Sequence, residues 1–218
     1  MSTKKGYRYV IGLTGPIASG KGLVAKMIHE FVGENEQIRS VLLSDYIREV
    51  VRANGLPLNR DTLREAGNAR RKELGPGTWV EKMLEELPDG EEGVLIVDSI
   101  RNPGEIQALR DEFGENVLVI AADAPFEDRV KRVLKRARED DSTDTDEIKR
   151  QMSIEMEHNP EFGFAIEQCK VMSDVVSVAK ETKEERKAEI NERLQEFVLQ
   201  VEGREVGRER EIRIGNAA

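Results

Sequence analysis

Five short apolar runs punctuate the chain: Tyr9 to Leu13, Ile38 to Leu43, Val94 to Val97, Val117 to Ala121 and Val175 to Val178. The runs read as continuous rather than alternating, with Arg39-Ser40 and Ser177 as their polar breaks, which predicts strands covered on both faces. Helix-length stretches of mixed polarity separate the runs, and Leu23, Met27, Ile28 and Phe31 recur at helical spacing after the first. This alternation predicts an α/β fold of three layers, a mostly parallel five-stranded sheet with helices on both faces. Between Asn54-Gly55 and Gly75-Pro76-Gly77, residues 54–77 read as a polar insertion around a helix capped by Asn59, with the character of a small acceptor-binding lobe. Thr182 to Val201 predicts a charged amphipathic helix that closes a single domain over residues 1–201, and residues 202–218 read as a polar tail with little to bury.

Ligands in such sheets sit beyond the carboxyl ends of the strands, so the residues after each run are the candidate chemistry. The first run flows into Gly15-Pro16-Ile17-Ala18-Ser19-Gly20-Lys21, the G-x-x-x-x-G-K pattern of a phosphate-binding loop. Glycines let successive backbone N–H groups turn inward on a phosphate chain, Lys21 adds a point charge, and the following helix aims its positive end at the same oxygens. Gly15 through Leu23 are therefore the expected nucleotide-binding residues. Gly22 stands where a Ser or Thr hydroxyl usually ligates magnesium, and Leu23 follows it. The metal must then lean on phosphate oxygens, waters and carboxylates elsewhere. The third run ends in Asp98, which is expected to hold magnesium through water beside Lys21.

Two acid-arginine pairs follow neighbouring strands, Asp98-Ser99-Ile100-Arg101 and Ser44-Asp45-Tyr46-Ile47-Arg48. A guanidinium fork suits a pair of phosphate oxygens, and on a helix Asp45 and Arg48 share one face. Asp45, Arg48 and Arg101 are the expected acceptor-binding residues. In the densest basic run, Arg129, Arg132 and Arg136 share a helix face, while Val130, Leu134 and Ala137 make an apolar one. The run ends in a polar loop, so residues 136–146 are placed as a lid over nucleotide phosphates. Arg136 and Arg138 would stabilise charge on a migrating phosphoryl group there, together with Lys21 and Asp98. His29 and His158 have no Cys or His partner at metal-ligand spacing, and Trp79 and Tyr46 read as core or lobe anchors.

Composition narrows the partners. The 218 residues carry a net charge of −9 with 38% hydrophobic and 35% charged residues, enough for one good core. That balance disfavours general binding to nucleic acid or to membrane surfaces, and fits a cytoplasmic monomer or homodimer acting on a small molecule. Cys169 stands alone, which leaves no disulfide framework and predicts a buried spectator thiol. The apolar stretch near the start breaks at Gly12 and Gly15 and does not read as a signal peptide.

Gly15-Pro-Ile-Ala-Ser-Gly-Lys-Gly resembles the loop of adenylate kinases, which also carry glycine directly after the lysine. Ser44-Asp-Tyr-Ile-Arg48 resembles that family's Gly-Asp-x-x-Arg, whose arginine holds the acceptor phosphate, and Asp98-Ser-Ile-Arg101 is similar to its Asp-Gly-x-Pro-Arg, one residue shorter. Ser173-Asp174-Val-Val resembles a strand entry of dephospho-CoA kinase. Over about residues 8 to 200 the chain thus resembles P-loop nucleotide kinases, the group of nucleoside monophosphate kinases and dephospho-CoA kinase. It is most similar to an uncharacterised family of small adenylate-kinase-like P-loop proteins, through the Gly-Lys-Gly loop, Asp-x-Ile-Arg and Arg136-Ala-Arg138-Glu-Asp-Asp. Leu42 and Leu43 replace the Ser-Thr that adenylate kinases place near the acceptor base, so AMP specificity does not carry over. The resemblance implies ATP and magnesium as cofactors, and ATP-dependent phosphoryl transfer to a nucleotide-type acceptor, foremost a nucleoside or deoxynucleoside monophosphate. Two alternatives stand beside it. One is transfer to a hydroxyl, as in dephospho-CoA kinase, with Asp45 as base. The other is a nucleotide-dependent regulatory ATPase whose lobe at residues 54–77 moves against a partner.

Overall fold

All five apolar runs form strands, and each strand feeds its alternate residues to opposite faces of one sheet. The structure, a computed structural model, describes residues 6–34, 36–136, 141–156, 159, 161–180 and 182–215, with backbone alone over 205–215. Strands β1 (Tyr7–Thr14), β2 (Ile38–Leu42), β3 (Gly93–Ile100), β4 (Val117–Asp123) and β5 (Val175–Val178) lie in the order β2-β3-β1-β4-β5, every neighbouring pair parallel. On one face Val10, Leu95, Val97, Val117 and Val119 meet helices α2 (Leu43–Ala53), α4 (Thr78–Glu86), α5 (Pro103–Phe113) and α8 (Ile166–Val171). On the other, Ile11, Leu13, Ile96, Leu118 and Ile120 meet α1 (Lys21–Val32) and α9 (Lys183–Gly215). Burying one such aliphatic side chain contributes roughly 1.5–3 kcal/mol, so these two layers dominate the stability of the fold.

Three further helices stand around the carboxyl ends of the strands. Helix α3 (Arg60–Leu74) opens with the expected cap: the Asn59 side chain accepts from Thr62 N at 3.0 Å, and Thr62 Oγ1 accepts from Asn59 N. Trp79 is wholly buried and donates to Gly67 O at 3.2 Å, which ties α4 to α3. Helices α6 (Phe126–Arg136) and α7 (Thr145–Glu155) form an arm with its own small core of Val130, Val133, Ile148 and Met152, and Ile17 of the phosphate loop inserts into it.

Three expectations are corrected. The edge strands β2 and β5 are not covered on both faces: β5 buries Val175 and Ser177 but leaves Val176 39% and Val178 45% exposed, and no residue of β2 is fully buried. The face of α6 that docks on α7 carries Val130 and Val133, so Leu134 is left 41% exposed, while Ala137 lies outside the described residues. The last helix does not stop at Val201 but runs on to Gly215. Its sequence beyond Val201 holds no proline, and a glycine such as Gly203 weakens a helix by only about 1 kcal/mol.

Strand β3 is longer than its apolar run because of one irregularity. Leu13 pairs with Asp98 and Thr14 with Ile100, so Ser99 is skipped, with φ 72°. This bulge breaks the two-residue alternation: Asp98, Ser99 and Arg101 all border one cavity while Ile100 stays buried. Thr14 Oγ1 donates to Ile100 O at 2.9 Å and locks the two strand ends together.

Candidate active site

Between β1 and α1 the loop is seated hard against the sheet. Gly15 has φ 128°, and a Cβ there would lie 2.1 Å from Ala122 O, so no other residue fits. Gly20, at φ 103°, caps α1 without any side-chain cap, which leaves the helix N-terminus to a ligand. Lys21 Nζ folds back across the loop, donating to Gly15 O at 2.7 Å and Pro16 O at 3.0 Å. From outside, Arg132 donates to Ala18 O at 3.0 Å, and the buried Arg186 of α9 reaches toward Gly20 while donating to Ser177 Oγ and Ser177 O. Ile17 is held twice, by its apolar seat in the arm and by Glu155, whose Oε2 accepts from Ile17 N at 2.6 Å.

The loop opens on a cavity of about 420 Å³ at the carboxyl ends of β1, β2 and β3. Among the described residues its lining brings together Ile17 through Leu23, Arg48, Asp98, Arg101, Arg132 and Arg136, from widely separated stretches of chain. Arg60, Arg64, Arg71 and Glu155 complete its charged wall, so eight cationic side chains face two carboxylates on a chain of net charge −9. Such a cleft focuses field on an anion. Asp45 is not part of it: its side chain is 61% exposed and accepts from Arg48 Nη1 at 2.9 Å, so it touches the cavity wall only through Arg48. Arg129 is buried on α6 beside Phe126 and does not border the cavity. Arg138 and His158 lie outside the described residues. His29 is exposed and bonds Ser40 Oγ, Tyr46 packs partly buried against the core, and Cys169 is buried with its thiol pushed up to about 12 by burial.

Crowded cations shift one another. Burial first, then Arg101, brings Lys21 down to about 7, against the pull of Asp98. Burial and then Arg60 bring Arg101 down to about 10, which still leaves it charged at neutral pH. A polyphosphate would relieve both. Arg101 is oriented by an ion pair with Glu155, by Glu105 Oε2, which accepts from Arg101 N at 2.7 Å, and by the ring of Phe164 at 5.0 Å.

Sequence reasoning missed Arg60, Asp141, Glu155 and Arg186. Glu155 bonds a residue 138 positions earlier, and no local spacing could announce it. Asp141 and Arg60 are partners 81 positions apart. The available signal was a carboxylate buried on a polar arm, which only the fold reveals.

The residues suit a metal that arrives on its ligand. Among the described residues no group of three or more His, Cys, Asp and Glu side chains could hold an ion by itself. At Gly22 a Cβ would meet nothing within 4 Å, so the loop has room for a hydroxyl that the sequence does not supply. Asp98, bordering the same cavity, is the carboxylate that could meet magnesium already bound to phosphates.

Residues 14–149 match the AAA domain family. A UPF0200 protein of Pyrococcus furiosus is 33% identical over 177 residues, covering 78% of this chain and 87% of that protein. Among solved structures the fold is similar to shikimate kinase from Acinetobacter baumannii in complex with shikimate, with TM-score 0.52 and 12% identity over 88% of this chain and 93% of that one. It is similar also to a gluconokinase from Sinorhizobium meliloti, with TM-score 0.50 and 17% identity over 89% and 97%. These likenesses establish the P-loop kinase fold. No helix among the described residues is long and apolar enough to cross a membrane.

Proposed function

This chain belongs to the UPF0200 family and to the AAA domain family, and from that premise we propose that it transfers a phosphoryl group from ATP to a small nucleotide-type acceptor, a nucleoside or deoxynucleoside monophosphate. One observation carries the reading: a single cavity joins the phosphate loop to arginines of α2, α3, β3's end and α6. A donor alone would not need so many cations from the side away from the loop. Lys21 and the loop amides would hold the donor phosphates, Arg48 and Arg101 would clamp the acceptor's phosphate, and Arg136 would stabilise charge on the group in transit. Arg138 would join Arg136 from the same basic run. Magnesium bound to the nucleotide would neutralise charge on the phosphates, and Asp98 is the residue placed to meet it, through water.

A phosphate acceptor is favoured over a hydroxyl by the fate of the carboxylates. A hydroxyl acceptor calls for a base, whereas a phosphate oxygen is already an anion. Asp45 faces solvent and Glu155 is committed to Ile17 N and Arg101, and Asp98, the other carboxylate lining the cavity among the described residues, is the one assigned to magnesium, so none is left over as a base. The structural neighbours named shikimate kinase and gluconokinase nevertheless make hydroxyl acceptors part of the test. ADP formation is measured with ATP and magnesium against ribo- and deoxynucleoside monophosphates, dephospho-CoA, shikimate and gluconate, with Lys21→Ala as blank. A monophosphate that raises the rate far above the acceptor-free level, with the rise lost in Arg48→Ala, is the expected result. A hydroxyl acceptor doing so would replace the acceptor class, and slow turnover indifferent to every acceptor would favour the regulatory ATPase.

A further inference from the structure

Asp141 sits between two cavity arginines that come from distant parts of the chain. Its Oδ1 accepts from Arg60 Nη2 at 2.6 Å, at the start of α3, and from Arg136 Nη2 at 3.0 Å, at the end of α6; its Oδ2 accepts from Arg136 Nε at 2.7 Å. The carboxylate is fully buried. Burial by itself would raise its pKa, but the hydrogen bonds from Arg136 and Arg60 outweigh it and bring the group down to about 2. Asp141 is therefore an anion throughout the physiological range. Both arginines border the cavity of the phosphate loop, and Arg60 lies near enough to Lys21 and Arg101 to depress both cations.

Two guanidinium forks converging on one buried anion is the arrangement by which proteins hold phosphate oxygens. A carboxylate fills it incompletely, having one charge and two oxygens where a phosphate monoester has three free oxygens and up to two charges. Nor is Asp141 fixed as part of a regular element: it precedes α7, outside any helix or strand.

We propose that Asp141 is a placeholder, and that the position between Arg60 and Arg136 is a phosphate subsite, filled by this carboxylate in the ligand-free chain and by a phosphate of the substrate in the complex. The inference rests on the reading that the cavity binds phosphate compounds. It makes Arg60 a residue that selects for a doubly charged phosphate, and makes Asp141 the competitor that sets the threshold. An anion no more charged than aspartate, such as a carboxylate or a phosphodiester, does not displace it. Where a competitor fills a site in all but about a tenth of molecules, the apparent affinity of the true ligand falls about tenfold.

The test is calorimetric titration of the full chain, wild type, Asp141→Asn and Arg60→Gln, with inorganic pyrophosphate and separately with ATP. Asparagine keeps the size and an acceptor oxygen but removes the charge. Pyrophosphate is expected to bind about tenfold more tightly to Asp141→Asn and at least as much more weakly to Arg60→Gln. A folded Asp141→Asn that binds pyrophosphate no better than wild type overturns the proposal. If that variant does not fold, Arg60→Gln decides alone: wild-type affinity for pyrophosphate sinks the subsite, and a clear loss upholds it. Wild-type ATP binding alongside a negative result for the variants leaves the kinase reading standing without the subsite. Failure of the wild type to bind either ligand removes both.

Discussion

Two buried carboxylates stand behind the wall of this one cavity, each holding arginines that border it, and they serve opposite ends. Arg71 and Glu105 are both almost wholly out of solvent, and Glu105 Oε1 accepts from Arg71 Nε and Nη2 at 3.0 and 2.7 Å. Glu105 Oε2 meanwhile accepts from Arg101 N and Asn102 N, completing the capping box of α5, whose cap Asn102 also donates to Gly163 O at 2.9 Å. Every lone pair of that carboxylate is engaged, and three backbone segments converge on it. Asp141 has a similar arginine contact, but its two arginines are 18% and 25% exposed and border the space where an anion belongs. The charges are alike in both places. What makes one a weld is that two backbone N–H groups share its carboxylate while its arginine is closed off from solvent; what makes the other an exchangeable contact is that both of its arginines open on the cavity.

Glu105→Gln should break the molecule most. Loss of the charge opposite a buried arginine, with the cap of α5 weakened, is expected to cost about 3–5 kcal/mol in urea unfolding. Asp141→Asn should cost clearly less by the same measurement, because Arg60 and Arg136 can turn to water in the cavity. Equal losses would erase the distinction between the two assemblies.

Next in size is the response of the cavity to pH. Lys21 has an ordinary value of 10.5 and is brought down to about 7 in the folded chain, chiefly by burial. Below about pH 7 both folded and unfolded chains carry the proton, and the fold bears the whole cost of the buried charge. Between about 7 and 10.5 the unfolded chain binds more protons, so the ligand-free fold should gain stability from this group as pH rises. Bound ATP should restore the charge, and calorimetry at about pH 8 in two buffers of different ionisation enthalpy should then detect uptake of up to about one proton on binding. Proton-neutral binding would mean that the cations are already satisfied without a ligand.

Gly22→Ser should do least. Nothing lies within 4 Å of the added Cβ, so stability should stay within about 0.5 kcal/mol by thermal unfolding. If the exchangeable region is tuned to a metal borne by the nucleotide, the added hydroxyl should lower the magnesium concentration needed for half-maximal ATP binding. A variant that fails to fold would show that the loop is packed as tightly at Gly22 as at Gly15.

The central strands were legible because strands buried on both faces must be apolar at every position, as in Val117 to Ala121, whereas the edge strands β2 and β5 carry Arg39, Ser40 and Ser177 and are only partly covered. The cap at Asn59 was legible for a local reason, a side chain that meets its own helix three residues on. Of the candidate site, the loop, Arg48, Asp98, Arg101 and Arg136 were readable as the residues that follow strands or end helices, and the cavity gathers them. The carboxylates were not. Asp45 reads as a cavity residue beside Arg48, yet the first turns of α2 point it outward; Glu155 and Asp141 read as solvated charge, yet the arm turns them inward. Pairings between segments some eighty to a hundred and forty positions apart are set by how layers stack, and periodicity carries no record of that.

Ile17 puts a limit on modularity. Its side chain is the apolar peg on which the α6–α7 arm sits, and its peptide N–H is the point to which that arm's last helical residue is tied. The arm therefore cannot be exchanged for one from another protein of this fold as a cassette. A graft would have to bring a matching socket for the peg and a carboxylate at the right reach, or leave the loop holding an exposed isoleucine and an idle amide. In a lineage, the loop's third residue and the arm's interior are thus bound to drift together, although a hundred and more positions of chain lie between them.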